Sequence, residues 1–164
     1  MSLLPIVIWP DPRLSRRCSP VSAVDADLRC LAEDMLETMY DAPGRGLAGP
    51  QVGAMLRLFV MDVSWKDGRP APRILVNPSV VAASEDTVAL DEACLSIPGV
   101  SARITRPARV RLRWTGIDGT ARDEWFDGPA ARIVQHEYDH LDGIVTFHRL
   151  DPEARAAAEE AYRP

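Results

Sequence analysis

Hydrophobic positions recur every three or four residues in two separate parts of the chain. From Asp25 to Tyr40 they are interleaved with acidic residues, and the apolar set is Leu28, Leu31, Ala32, Met35, Leu36 and Met39. This spacing places the apolar side chains on one face, so it predicts an amphipathic α-helix near the amino terminus. A second helical pattern runs from about Asp127 to Gly143, where the glycine is typical of a helix C-terminal cap.

The segments between the two predicted helices are typical of β-strands. RLFVMDVS and RILVNPSVVAAS are predicted strands, the second broken at Pro78 because proline has no N–H to donate within a sheet. RPARVRLRWTG and TARDEWF flank a turn at Asp118 and Gly119, which predicts an antiparallel hairpin. This order of elements indicates an α+β fold with antiparallel sheets around the late helix. We expect a single domain over residues 1–164, in which residues 151–164 form a short, exposed, peripheral helix.

Composition narrows the classes of function. Charged residues make up 26% and hydrophobic residues 46% of the 164 positions, as in ordinary globular proteins. The net charge of -5 gives no support for direct nucleic-acid binding. No apolar run approaches the roughly 20 residues that a membrane helix needs, so we expect no membrane association. Three cysteines without framework spacing favour reduced thiols and a cytoplasmic protein.

Two histidines stand four residues apart in the stretch QHEYDHLDG. His136 and His140 should share one face of the predicted helix, with Glu137 beside them. This H-E-x-x-H spacing is typical of hydrolases that bind a divalent metal through both imidazoles. Because a catalytic metal of this kind usually takes three protein ligands and keeps a position for water, a third ligand is needed.

Two residues compete for the third ligand position. Cys94 in EACLSIPG lies where a polar run becomes an extended apolar one, although a buried apolar role explains its spacing equally well. Glu160 matches the later glutamate of thermolysin-like enzymes, which would make the chain a small metalloprotease, but it lies in a terminal segment that tends to fray. Glu92 and Asp139 either orient the ligand histidines or are solvated.

Three motifs, in order, resemble the signatures of the peptide deformylases. They are GRGLAGPQVG, EACLSIPG and QHEYDHLDG, and the similarity runs from Ile6 to Leu150. The resemblance implies a set of site residues: the metal ligands Cys94, His136 and His140, the acid and base Glu137, and the oxyanion donors Gln51 and Leu95, the latter through its backbone N–H. It also implies one divalent ion, with ferrous iron as the physiological metal and zinc, nickel or cobalt as substitutes.

The resemblance also implies a reaction and its partners. The enzyme would hydrolyse the N-formyl group of N-formylmethionyl peptides, or of other N-formylated peptides, on newly made proteins and release formate. The peptide would bind in an extended conformation beside Gly46 and the segment around Ala93. The protein is expected to be a monomer that contacts the ribosome transiently.

The chain departs from the usual family motifs along this expected peptide path. Ala93 replaces a glycine, and Gly49 and Pro50 alter the first motif. Arg132, next to Ile133 on the metal-binding helix, stands where family members usually carry an aliphatic residue. Its guanidinium either extends to solvent or, with Arg45, binds an anionic substrate group. The second interpretation predicts a deformylase-like amidase with altered substrate preference.

Overall fold

The computed structural model describes every residue from Met1 to Pro164 and has the predicted α+β architecture. Its α-helices are α1 (Ala26–Asp41), α2 (Gly128–Leu141) and α3 (Pro152–Ala161). Its strands are β1 (Gly46–Ala48), β2 (Leu58–Met61), β3 (Arg73–Ala83), β4 (Thr87–Cys94), β5 (Ile97–Pro107), β6 (Val110–Thr115) and β7 (Ala121–Phe126). None of the helices has the length and apolar character of a membrane-spanning segment.

The strands form two antiparallel sheets. Five of them make one sheet in the order β1-β2-β3-β6-β7, and β4 pairs only with β5 in a separate hairpin. Side chains of α2 pack on one face of the large sheet, and those of α1 pack against a second set of sheet residues. Ion pairs from α2 to β4 and β5 hold the hairpin against the same helix, as described below. The helix with the histidines is therefore central, as predicted.

Helix α1 confirms the first periodicity. The Asp25 carboxylate accepts a hydrogen bond from the Leu28 N–H at 2.9 Å, which satisfies one of the free donors at the helix start. The buried face consists of Leu28, Ala32, Met35, Thr38 and Met39. The helix supports β1, which lies within the glycine-rich motif, and β2, which follows it.

Two strand predictions have different outcomes. The β6–β7 hairpin is confirmed, because Thr115 pairs with Ala121 and Gly119 adopts the left-handed conformation in the turn, with φ at 82°. The predicted break at Pro78 is wrong, since β3 runs through this residue without interruption. The pairing register between β3 and β6 shifts between Val76 and Ser79, and this irregularity accommodates the proline.

Helix α3 is short and has no buried residue, as predicted for the tail. The residue that follows it, Tyr162, anchors the segment. Its hydroxyl donates a hydrogen bond to the Trp9 carbonyl oxygen at 2.8 Å, and its ring packs edge-on against Phe147. The C-terminal segment is thus attached to the N-terminal segment.

Candidate active site and metal centre

Three candidate ligands meet between β4 and α2. Along β4 the residues alternate in direction, so Glu92 and Cys94 are buried while Ala93 between them is exposed. The pairing of β4 with β5 is irregular after Ala93, where Cys94 pairs with Ile97 at the end of the hairpin. Such an irregularity redirects side chains, and here the Cys94 side chain points towards α2.

The candidate metal centre consists of Cys94, His136 and His140. The sulfur and one ring nitrogen from each histidine all lie within 4.8 Å of one another. Cys94 Sγ is 3.4 Å from His140 Nε2, and all three residues are buried. One sulfur and two imidazole nitrogens form a donor set that suits zinc, ferrous iron, cobalt or nickel. Glu160, the alternative ligand, lies exposed on α3 and is not part of this group.

Glu92 orients one of the two imidazoles. His136 Nδ1 lies 2.9 Å from Glu92 Oε1, which leaves Nε2 of the ring for a metal. Burial by itself would raise the pKa of Glu92, but hydrogen bonds from His136 and Arg106 outweigh it and lower that pKa. Glu92 therefore remains ionised and accepts hydrogen bonds, as the orienting role requires. The Asp139 side chain makes no hydrogen bond to either histidine and instead binds Arg106 and Arg149.

Glu137 is a buried carboxyl group with unused hydrogen-bonding capacity. Its Oε2 atom has no hydrogen-bond partner within the chain. Burial raises the pKa of Glu137 to about 7, because the charged form is poorly solvated there. A carboxyl group with a pKa near neutrality can both accept and donate a proton, and its free oxygen requires a partner such as water or substrate.

Gln51 is also buried, and its amide is held beside the sulfur. Its Oε1 accepts a hydrogen bond from the Ala48 N–H at 2.9 Å. Its Nε2 donates to Ser96 Oγ at 3.1 Å and lies 3.6 Å from Cys94 Sγ. These contacts fix which end of the amide faces the candidate metal centre, so a surface position for Gln51 is excluded.

A cleft of about 360 Å³ opens over these groups. All five predicted substrate-binding residues line it, and they are Arg45, Gly46, Ala93, Arg132 and Ile133. The cleft lies between β1, an end strand of the large sheet, and β4, which has a partner on one side only. Both strands therefore have a free edge, to which an extended peptide can add through backbone hydrogen bonds.

Comparison with known proteins assigns the chain to a family. Residues 3–156 match the family model described as polypeptide deformylase. This chain belongs to the peptide deformylase family. The peptide deformylases of Afipia carboxidovorans and Mesorhizobium japonicum are 46% and 45% identical to it, over 92% of this chain and over 88% and 85% of their own.

Solved structures of the peptide deformylase family share the fold. The enzyme from Thermotoga maritima gives a TM-score of 0.87 at 37% identity, covering 93% of this chain and 100% of its own. The Ehrlichia chaffeensis enzyme in complex with actinonin gives 0.92 at 39% identity, covering 98% and 95% respectively. The chain is therefore a hydrolase of this family, and the predicted family and fold class are confirmed.

Ala93, at a position where the resemblance predicts a glycine, causes no backbone strain. Ala93 lies in β4, and Asn77 is the only residue other than glycine with a positive φ. The methyl group of Ala93 is exposed towards the cleft. The altered residue Gly49 has a local explanation, since a Cβ there would lie 2.6 Å from the Ala54 carbonyl oxygen.

Arg132 adopts neither of the two predicted arrangements. Its Nη1 donates to Glu92 Oε2 at 2.7 Å and to the Ile104 carbonyl oxygen at 2.8 Å. Its Nη2 donates to the Val88 carbonyl oxygen at 2.7 Å, and the side chain is only 13% exposed. These bonds leave the predicted capture of an anionic substrate group by Arg132 without support. Arg45, by contrast, is exposed at the cleft and makes no side-chain hydrogen bond or ion pair within the chain.

Sequence reasoning missed two contacts of the site. Ser96 accepts a hydrogen bond from the Gln51 amide, and Arg106 binds Glu92. Arg106 donates to both oxygens of Glu92, at 2.6 and 2.9 Å, and to Asp139 Oδ2 at 2.9 Å. Buried and exposed residues alternate along β5, and this alternation indicates that Arg106 is buried. Ala102, Ile104 and Arg106 occupy successive inward positions. An arginine in the buried phase of a strand requires a carboxylate partner.

Proposed function

We propose that this chain hydrolyses the N-formyl group of N-formylmethionyl peptides on newly made proteins and releases formate. The observation that supports it best is the meeting of Cys94 Sγ with ring nitrogens of His136 and His140 within 4.8 Å, beside a buried glutamate. The family is metal-dependent. We propose ferrous iron as the physiological ion at these three ligands, with zinc, nickel or cobalt as substitutes.

The proposed chemistry assigns the proton transfers to Glu137. A bound divalent ion supplies Lewis-acid chemistry, lowering the pKa of water from about 16 towards 7. Glu137 takes a proton from the attacking water as its oxygen adds to the formyl carbon, and delivers it to the nitrogen as the C–N bond breaks. Formate and a free amine result. Burial raises the pKa of Glu137, which suits this carboxyl group to both steps near neutral pH.

The oxyanion formed during attack requires fixed N–H donors. We propose Gln51 Nε2, which Ser96 holds beside Cys94, as one donor. The backbone N–H of Leu95 is the other, since it makes no hydrogen bond within the chain and lies in the turn after Cys94. Donors that are already oriented stabilise the transition state without reorganisation, and loss of one typically costs about 3 to 4 kcal/mol.

The proposed peptide-binding mode uses both free strand edges. Gly46 on β1 and Ala93 on β4 border the extended peptide, and Ile133 on α2 supplies apolar contact for the first side chain. Arg45, with its unpaired guanidinium at the cleft, is positioned to meet acidic groups further along the peptide. Because newly made chains are the proposed substrates, we place the activity in the cytoplasm, in a monomer that contacts the ribosome transiently.

The test is release of formate by protein purified without oxygen and analysed for metal. We expect metal-loaded protein to deformylate a formyl-Met peptide, and Glu137→Ala to retain metal while turnover falls by about 10²- to 10⁴-fold. Glu85→Ala, which removes an exposed carboxylate between β3 and β4, is the matched control and should keep wild-type turnover. Metal-loaded wild type that releases no formate would refute the proposed function.

A further inference from the structure

Arg132 and His136 lie on one helix and contact the same carboxylate, that of Glu92. They stand four residues apart on α2, so they occupy one face of it. Arg132 Nη1 lies 2.7 Å from Glu92 Oε2, and His136 Nδ1 lies 2.9 Å from Glu92 Oε1. We propose that Arg132 is a positioning residue that holds Glu92, and through it His136, in the geometry required for metal binding. This inference rests on the metal centre of the proposed function.

Each oxygen of Glu92 accepts two hydrogen bonds. Oε1 is shared by His136 Nδ1 and Arg106 Nη2, and Oε2 by Arg106 Nε and Arg132 Nη1. Arg106 lies on β5 of the hairpin, so its two hydrogen bonds to Glu92 stay within the hairpin. Arg106 also reaches α2 through Asp139, whereas Arg132 is the only guanidinium on that helix that binds Glu92.

The other donors of Arg132 bind the hairpin backbone. Nη1 also reaches the Ile104 carbonyl oxygen on β5, and Nη2 reaches the Val88 carbonyl oxygen on β4. Arg132 thus joins α2 to both strands of the hairpin that carries Cys94. Together with the Arg106–Asp139 ion pair, this join sets the spacing between the Cys94 sulfur and the two imidazoles, since the sulfur moves with the hairpin and the rings move with the helix.

Burial makes these contacts difficult to replace by water. The Glu92 side chain is 4% exposed and that of Arg132 is 13% exposed. Removing the guanidinium therefore leaves the buried Glu92 Oε2 and the part-buried Ile104 carbonyl oxygen each short of a donor, whereas water can reach the exposed Val88 carbonyl oxygen. An aliphatic side chain at this position restores none of these bonds.

The experiment measures zinc affinity of the full chain by competition with a chromophoric chelator, in the absence of peptide. Arg132→Leu is expected to weaken zinc binding by about 10- to 100-fold, as is typical when a partner of a metal-ligating histidine is lost. Arg103→Leu is the matched control, because Arg103 lies on β5 with its side chain 66% exposed and makes only a 3.5 Å contact to Asp91. Its zinc affinity should equal that of wild type.

A double substitution tests whether Arg132 acts through Glu92. If it does, Arg132→Leu should add little further loss of zinc affinity in a Glu92→Gln background. Wild-type affinity in Arg132→Leu, or losses from the two substitutions that simply add, would overturn the proposal. Should Arg132→Leu not fold, Arg132→Gln is judged by the same two criteria.

The result of the zinc-affinity experiment does not depend on whether the protein releases formate. Protein that releases no formate, yet loses zinc affinity on Arg132→Leu, would refute deformylation and retain the role of Arg132. Protein that releases formate, but binds zinc equally well with and without the arginine, would retain deformylation and refute the role of Arg132.

Discussion

Glu137 lies so close to β1 that only a glycine fits opposite it. A Cβ atom built on Gly46 would be 2.6 Å from Glu137 Oε1 and 2.9 Å from its Cδ. The φ angle of Gly46 is not positive, so the requirement concerns space and not backbone conformation. The glycine of the first motif thus allows β1 and the proposed acid and base to approach each other.

Gly46→Ala should therefore impair turnover without removing the metal. Because Gly46 is paired with Met61 of β2, the strand has little freedom to recede and the carboxyl group must move. Misplacement by about 1 Å can cost roughly 10²-fold in rate, and we expect a loss of that order in formate release. Gly44→Ala is the control: its methyl group meets the flexible end of Leu95, so its effect should be much milder. Equal rates for the two variants would contradict this explanation.

At the scale of elements, α2 ends where it touches the N-terminal segment. Gly143 has a φ of 74°, and the Ile144 N–H returns to the Asp139 carbonyl oxygen at 2.9 Å. A Cβ on Gly143 would lie 2.7 Å from the backbone carbon of Ser15. The glycine is required twice, for the left-handed conformation and for the close approach of another backbone.

Gly143→Ala is expected to destabilise the fold beyond the cost of its φ angle. The conformation alone costs about 1 to 2 kcal/mol, and the clash with Ser15 adds to it. Gly99→Ala provides the matched control, because Gly99 has a φ of 78° with open space around its Cβ position. Urea unfolding should show a clearly larger loss for Gly143→Ala. Equal losses would mean that the N-terminal segment moves away at no cost.

At the scale of the whole molecule, the candidate metal centre joins parts that belong to different hydrophobic clusters. Cys94 packs in a cluster with Val7, Leu14 and Phe147, whereas α2 contributes Val134 and Leu141 to the core of the large sheet. An ion held by Cys94 and the two histidines of α2 connects the hairpin to that core. Its binding energy then adds to the stability of the entire fold.

Removal of the metal should consequently lower the melting temperature. At a free ion concentration of 100 times Kd the stabilisation is about 2.7 kcal/mol, which corresponds to roughly 5 to 10 °C for a chain of this size. Thermal melts with zinc and with chelator should show this difference for wild type and for Cys30→Ser, which changes an exposed cysteine on α1. Cys94→Ser should lose most of the shift. A zinc-dependent shift of wild-type size in Cys94→Ser would exclude the sulfur as a ligand.

Much of this arrangement follows from short-range patterns in the chain. Spacings of three and four residues predicted α1 and α2, and the turn residues predicted the β6–β7 hairpin, because these patterns depend only on near neighbours along the backbone. The resemblance to the family motifs likewise selected Gln51, Cys94 and Glu137, which line one cleft in the structure, and their roles stay predictions. The strand break at Pro78 failed because a shift in pairing with β6 absorbs the proline, and pairing is a long-range property.

Such short-range patterns do not predict where long charged side chains point. Arg132 is on the predicted helix face, but it binds Glu92 and two strand carbonyls only because the β4–β5 hairpin packs against α2. Arg106 and Asp139, distant in the chain, form an ion pair for the same reason. Residue types and their spacing thus specify the elements and the chemistry of the centre. The packing of hairpin on helix specifies which charges meet, because a flexible side chain takes the partner that burial places within its reach.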